Sequence, residues 1–415
     1  MRSLLLLALV SGAALAQPAD SSFAAAERLA LAGQTGAALA RLSGSATPES
    51  LRLRARLAMD LGRPHLAVAA LADADTLDAE AQLTLGHARR ALGDTRGAET
   101  AYRHAYRAAP GGPATGPLAG LVARQRPAEA AALYRVLVAQ DSANPAHHLA
   151  LGRALVRLDS VERGRFHFVR AWMLYPQGED AAVGAAETLE GDPAAQLGWT
   201  DQALRALPQS ARLWRVHGAA SMRVGDLDGA VEAYANALAW DDSTAARLRD
   251  LGVALYYAGR APEAVAALRE SHARDSTDAT TLRVYGLAAH AENEADLALR
   301  LLARATDALG REPLADLYGE IARVQRDALR DADALASLAT AERLAPEDAT
   351  IVLNRAALLQ QIGRLEDAER GYREFLDRAP DADPSLRALA EDRAAALATI
   401  RQNRIERDLR RRLNE

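Results

Sequence analysis

Arg215, Arg249 and Arg283 recur at an interval of 34 residues, so whatever positions the first should position the other two. A guanidinium is a planar fork that grips a carboxylate or a phosphate through two parallel hydrogen bonds, and three on one face would favour an anion. Arg212 and Arg223 accompany the first of the set, Tyr256 and Tyr257 the second, and Arg153 and Arg157 occupy comparable places upstream. The tyrosines would add flat apolar area of the kind that anchors an interface. The sequence has no lysine, so all 50 basic residues are arginine, against 55 acidic ones and a net charge of -5. Bulk charge of that sign predicts neither nucleic-acid binding nor adhesion to an anionic membrane.

Other chemistry is poorly provided for. A phosphate-binding loop of the P-loop kind needs a lysine, and neither HExxH nor GxSxG occurs. With no cysteine there is no disulfide framework, no thiolate nucleophile and no thiol metal site. The histidines are scattered singly except for His147-His148, and helical neighbours diverge by about 100°, too far to close on one metal unaided. The expectation is a chain without catalytic residues, metal or cofactor.

The elements that must hold the arginines are legible between Ala211 and Asp278. Trp214, His217, Gly218, Gly225, Ala230, Tyr234 and Ala237 stand opposite Leu248, Leu251, Gly252, Gly259, Ala264, Leu268 and Ser271. Large residues share one helical stripe, small ones sit where two helices would cross, and a glycine followed by a capping residue separates the helices. A repeat of this length signals a stacked array in which each helix pair covers its neighbour. The pattern resembles the tetratricopeptide repeat. That resemblance implies an all-α, right-handed superhelical solenoid of about eleven antiparallel helix pairs with a C-terminal capping helix.

Residues 1–16 have the three-part layout of a secretory leader: Arg2, an apolar run from Leu4 to Val10, then Ala14-Leu15-Ala16. The array is expected over 17–382. Pro110-Gly111-Gly112-Pro113 should shorten or delay one first helix, and the unit 177–210 is the weakest interior one, with Gln196 and Thr200 at normally apolar places. The tenth unit, from Glu312, carries a short insertion. Asp383-Pro384 then opens a closing helix over 383–415, with Leu386, Leu389, Leu397, Ile405, Leu409 and Leu413 near one face and arginines around the rest.

The arginine positions lie about 140° around the first helix from its packing stripe. In the proteins this array resembles, that stripe lines a concave groove that contacts extended peptides. Across the four units from Arg153 to Arg283 the stripe contains no acidic residue. The resemblance therefore implies a non-catalytic scaffold that takes a protein or peptide segment, acidic in character, within a bacterial envelope assembly. The alternative occupant is an anionic polymer such as a secreted polysaccharide. Family members that clamp a terminal carboxylate use groove lysines and asparagines; only Asn354 is comparable here, so that specificity does not carry over. The leader implies export to the periplasm or beyond, with no stable membrane insertion once it is removed.

Overall fold

The computed structural model describes residues 21–414 apart from 73–76, 242–243 and 309–310. The leader expected at 1–16 lies outside them, as does the side chain of Leu413. The described residues form helices and no strand, and the chain divides into two compact units, 1–188 and 189–415.

In the first unit α1 (Ser21–Leu31) packs on α2 (Thr35–Arg41), α3 (Pro48–Asp60) on α4 (Pro64–Ala72), and α5 (Ala79–Ala91) on α6 (Thr95–Ala108). Next come α7 (Thr115–Val122) with α8 (Pro127–Gln140), α9 (Pro145–Val156) with α10 (Val161–Leu174), and then α11 (Glu179–Glu187). The second unit opens on α12 (Pro193–Ala206) and continues with α13 (Ala211–Val224) on α14 (Leu227–Trp240), α15 (Ala245–Tyr257) on α16 (Ala261–Arg274), and α17 (Ala279–Ala291) on α18 (Ala295–Ala308). It ends with α19 (Arg311–Asp327) on α20 (Asp331–Leu344), α21 (Ala349–Gln361) on α22 (Leu365–Arg378), and α23 (Pro384–Asn414). Each unit is thus a stack of antiparallel helix pairs.

The small residues work as expected at the crossings. A Cβ placed on Gly218 would lie 3.1 Å from the Tyr234 ring, and one on Gly252 would lie 2.5 Å from Leu268 Cγ. Bare backbone at these points lets a bulky residue of the second helix fill the crossing, and Leu268 and Leu302 are fully buried there. Gly225 ends α13 in the left-handed region with φ 83°, where its lack of a Cβ is required, and Asp226 N–H then donates to Ser221 O at 2.9 Å. Asp226 caps α14 in turn by accepting from Gly229 N–H at 3.0 Å.

Departures from the regular pair follow the irregular sequence. The proline and glycine segment leaves α7 with 8 residues. The insertion in the tenth unit lengthens the first helix, so that α19 runs for 17 residues. The weak unit 177–210 contains the division between the two compact units, after Thr188. Its first helix, α11, has 9 residues, and Ala181 to Ala186 are all buried. Its polar substitutions find partners: the Thr200 hydroxyl lies 2.8 Å from His217 Nδ1, and Gln196 accepts from Arg223.

Candidate functional site

Within the second unit, first helices touch one another as well as their own partners: α15 meets α17, and α17 meets α19. This row of first helices carries the arginine positions. Arg212 and Arg215 are exposed on α13, Tyr257 is 56% exposed at the end of α15, and Tyr256 is half-buried beside it with the rings edge to face at 5.4 Å.

The acid-free wall expected from the stripe is not what forms. Carboxylates reach it from positions off the stripe and pair with most of its arginines. Arg249 donates to Asp250 from Nη2 at 2.9 Å and from Nε at 3.1 Å, and its Nη1 lies 3.5 Å from Asp278, the residue that caps α17. Arg283 on α17 forks onto Glu320 of α19, with Nε to Oε2 at 2.9 Å and Nη2 to Oε1 at 2.5 Å. His290 lies 3.1 Å from Asp327 along the same seam. In the first unit Arg153 bonds Asp180 of α11 at 2.7 Å, and Arg157 donates to Ala123 O at 3.0 Å. Most of these contacts join one pair to the next. The ladder is therefore in large part a row of staples between repeats, because a long guanidinium stem on one first helix reaches the carboxylates of the following one.

Arg215 is the exception. Among the described residues it has no carboxylate at ion-pair distance. Part of the reason is next door, where Val216 stands in place of the Asp250 that two nitrogens of Arg249 reach, and part lies one repeat on. Arg249 finds Asp278 at the N-cap 29 residues later, whereas the N-cap at the same offset from Arg215 is Thr244. Threonine caps α15 through Arg247 N–H but brings no charge. Arg223 is intermediate, held by Gln196 and lying 3.4 Å from Glu190.

Arg215, Arg223 and Arg249 all act electrostatically on the hydroxyl of Tyr234, together with Asp250. Burial, helped by Asp250, pushes that phenol up to about 12 against the opposing pull of the three arginines. Tyr234 thus reaches across the bare Gly218 backbone from the second helix toward the arginine face. Sequence periodicity alone placed Tyr234 as packing and did not reveal this convergence.

The first unit adds a feature of another kind. A cavity of about 450 Å³ is lined by Pro145, Ala146, Leu149, Tyr175, Asp180 and Ala181, beside the Arg153–Asp180 pair. Ala146 and Leu149 stand on the stripe of α9 that carries arginines elsewhere, and small neutral residues there left no signal beyond the repeat itself. Among the described residues no group of three metal-ligating side chains occurs, and no helix is long and apolar enough to cross a membrane.

Comparison with known proteins gives a match of residues 79–111, the helix pair α5–α6, to the tetratricopeptide repeat family model. Among solved structures, the chain is similar to one in the APC/C hetero-tetramer Cut9-Hcn1, at 13% identity and TM-score 0.45 over 91% of this chain and 89% of that one. Yeast Tom70 is similar at 12% identity and TM-score 0.41 over 95% and 98%. YrrB, described as a TPR protein with an unusual peptide-binding site, matches at 18% identity and TM-score 0.40 over 45% and 96%.

Proposed function

Because the chain is a tetratricopeptide-repeat protein, built from helix pairs that display a row of first helices, we propose that it is a non-catalytic interaction scaffold whose second unit takes an acidic protein or peptide segment along that row. The observation that carries the reading is that Arg215 has no carboxylate at ion-pair distance among the described residues. It stands on the same helix as Arg212 and Arg223, and the following first helix ends in the edge-to-face pair Tyr256 and Tyr257. An entering carboxylate would gain a charge-assisted bond there without first displacing a carboxylate of the protein. Arg249 and Arg283 are already bonded, so they contribute shape and a secondary field. Tyr257 supplies an exposed aromatic edge.

Export and work within a bacterial envelope assembly are proposed from the leader-like residues 1–16 alone.

Affinity capture from an envelope extract tests the reading when wild type is compared with Arg215→Glu and Thr244→Asp. The second variant keeps an N-cap on α15 and removes no arginine, yet sets a carboxylate where Asp278 stands relative to Arg249. Both should lose the captured partner while melting as wild type does. Capture undiminished in both would refute an Arg215-centred site, and competition by an anionic glycan but not by an acidic peptide would reassign the site to a polymer.

A further inference from the structure

The closing helix is longer than its closing role needs. Its first half seats Ala390, Ala394 and Leu397 in a buried cluster with Tyr372 and Phe375 of α22. The helix then continues to Asn414, and every described side chain from Thr399 to Arg411 is exposed. At about 100° per residue, Ala394, Ala398, Ile405 and Leu409 fall within one narrow stripe. The face that packs on α22 therefore runs on past it, with Ile405 51% and Leu409 53% exposed.

The last covered turn shows what chemistry accompanies that stripe. Arg401 flanks it and forks onto Glu369 of α22, at 3.0 Å to Oε2 and 3.1 Å to Oε1, and the Glu369 side chain is only 4% exposed. Arg404 and Arg411 continue the same flank, both exposed, with Asp408 between them in the sequence. Over 398–411 the helix carries Arg401, Arg404, Arg407, Arg410 and Arg411 against Glu406 and Asp408. That stretch spans about 21 Å at 1.5 Å per residue, the length of one 14-residue helix of the array.

We propose that the 398–411 half of α23 is a docking seam for an acidic amphipathic helix of a partner protein. That helix would cover Ile405 and Leu409 as α22 covers Ala394 and Leu397, with its glutamates taken by Arg404 and Arg411 as Arg401 takes Glu369. A lipid surface is the poorer occupant, because Ile405 and Leu409 offer little to insert beside Glu406, and Ile400, the third exposed apolar residue of the stretch, lies on another side of the helix. A second copy is poorer too, since it would set arginine against arginine.

The test is the anisotropy of a labelled synthetic helix with leucines at every third and fourth position and glutamates beside them, titrated with the full chain. Saturable binding is expected, weakened about tenfold or more in Arg404→Glu/Arg411→Glu and in Ile405→Asp/Leu409→Asp. Arg215→Glu should bind the helix as wild type does, which separates this seam from the first-helix row. All of these side chains are exposed, so the variants should keep the wild-type circular dichroism and melting curve. Absence of binding, binding indifferent to both double variants, binding to phosphatidylglycerol vesicles but not to the helix, or a dimer in light scattering abolished by Ile405→Asp/Leu409→Asp would each overturn the proposal.

Discussion

Arg215 and Arg249 hold the same place in successive repeats, and their fates differ at two positions: the next residue, Val216 or Asp250, and the N-cap 29 positions further on, Thr244 or Asp278. Thr244 and Asp278 both cap a helix, so local stability does not distinguish them, yet only one neutralises a guanidinium. Charge reversal should therefore have unequal consequences along the ladder. Arg283→Glu would set a carboxylate against Glu320, whose side chain is 19% exposed, and should cost about 1–2 kcal/mol, between the worth of an exposed pair and a buried one. Arg215→Glu should leave the denaturation midpoint unchanged. Equal losses in urea titrations of the two would contradict the staple role of Arg283. A second residue-scale effect concerns His148 and His167, whose Nδ1 atoms lie 2.9 Å apart, with His148 Nε2 3.2 Å from Ser142 O. Burial holds both below the ordinary 6.5, aided by Arg170 and His147 around His148 and by Arg135 and the histidines' mutual repulsion around His167. A depressed base binds fewer protons folded than unfolded, so stability is full above about 6.5 and falls as pH drops from there toward the folded values. The melting temperature should decline between pH 7 and pH 5, and His167→Gln should flatten that decline; an unchanged slope would exclude the pair as its source.

At the scale of the helix pair, the interior is set by contacts that glycine alone permits. Gly252→Ala would push a methyl against Leu268 Cγ at 2.5 Å in a fully buried site, and overpacking of this kind costs about 1–3 kcal/mol. Thermal unfolding should show the loss, whereas Gly191→Ala, which meets nothing within 4 Å, should show almost none. The same contacts explain why the pairs were legible in the sequence. Gly218, Ala230 and Tyr234 must be small, small and large for one crossing, and the requirement returns at Gly252, Ala264 and Leu268. The shortened α7 could be anticipated from Pro110 to Pro113, because proline and glycine act locally. Pairing across repeats could not. Glu320 lies on the next first helix, 37 residues beyond Arg283, and Asp250 and Asp278 lie off the stripe whose composition suggested an acid-free wall. Side-chain reach, unlike helical phase, is not periodic in the sequence, so the stripe was readable and its neutralisation was not.

At the scale of the whole chain, two compact units each add pairs in one direction, so stability is the sum of pair and neighbour contributions and surface is left free along the rows of first helices. That division of labour makes a sharp demand on where a partner sits in the second unit. It should lie over α13 and α15, where Arg215, Tyr256 and Tyr257 are displayed, and not over the second helices α14 and α16. The most direct measurement places a photo-crosslinking benzoylphenylalanine in the full chain at Arg212 or Tyr257 on the first helices, and at Glu232 or Glu270 on the second, all of them exposed. After irradiation in an envelope extract, one shared adduct is predicted from the Arg212 and Tyr257 positions, lost when Thr244→Asp is added, and none from Glu232 or Glu270. Adducts from the second-helix positions alone, or adducts at Arg212 and Tyr257 that persist with Thr244→Asp, would contradict a scaffold that binds through Arg215.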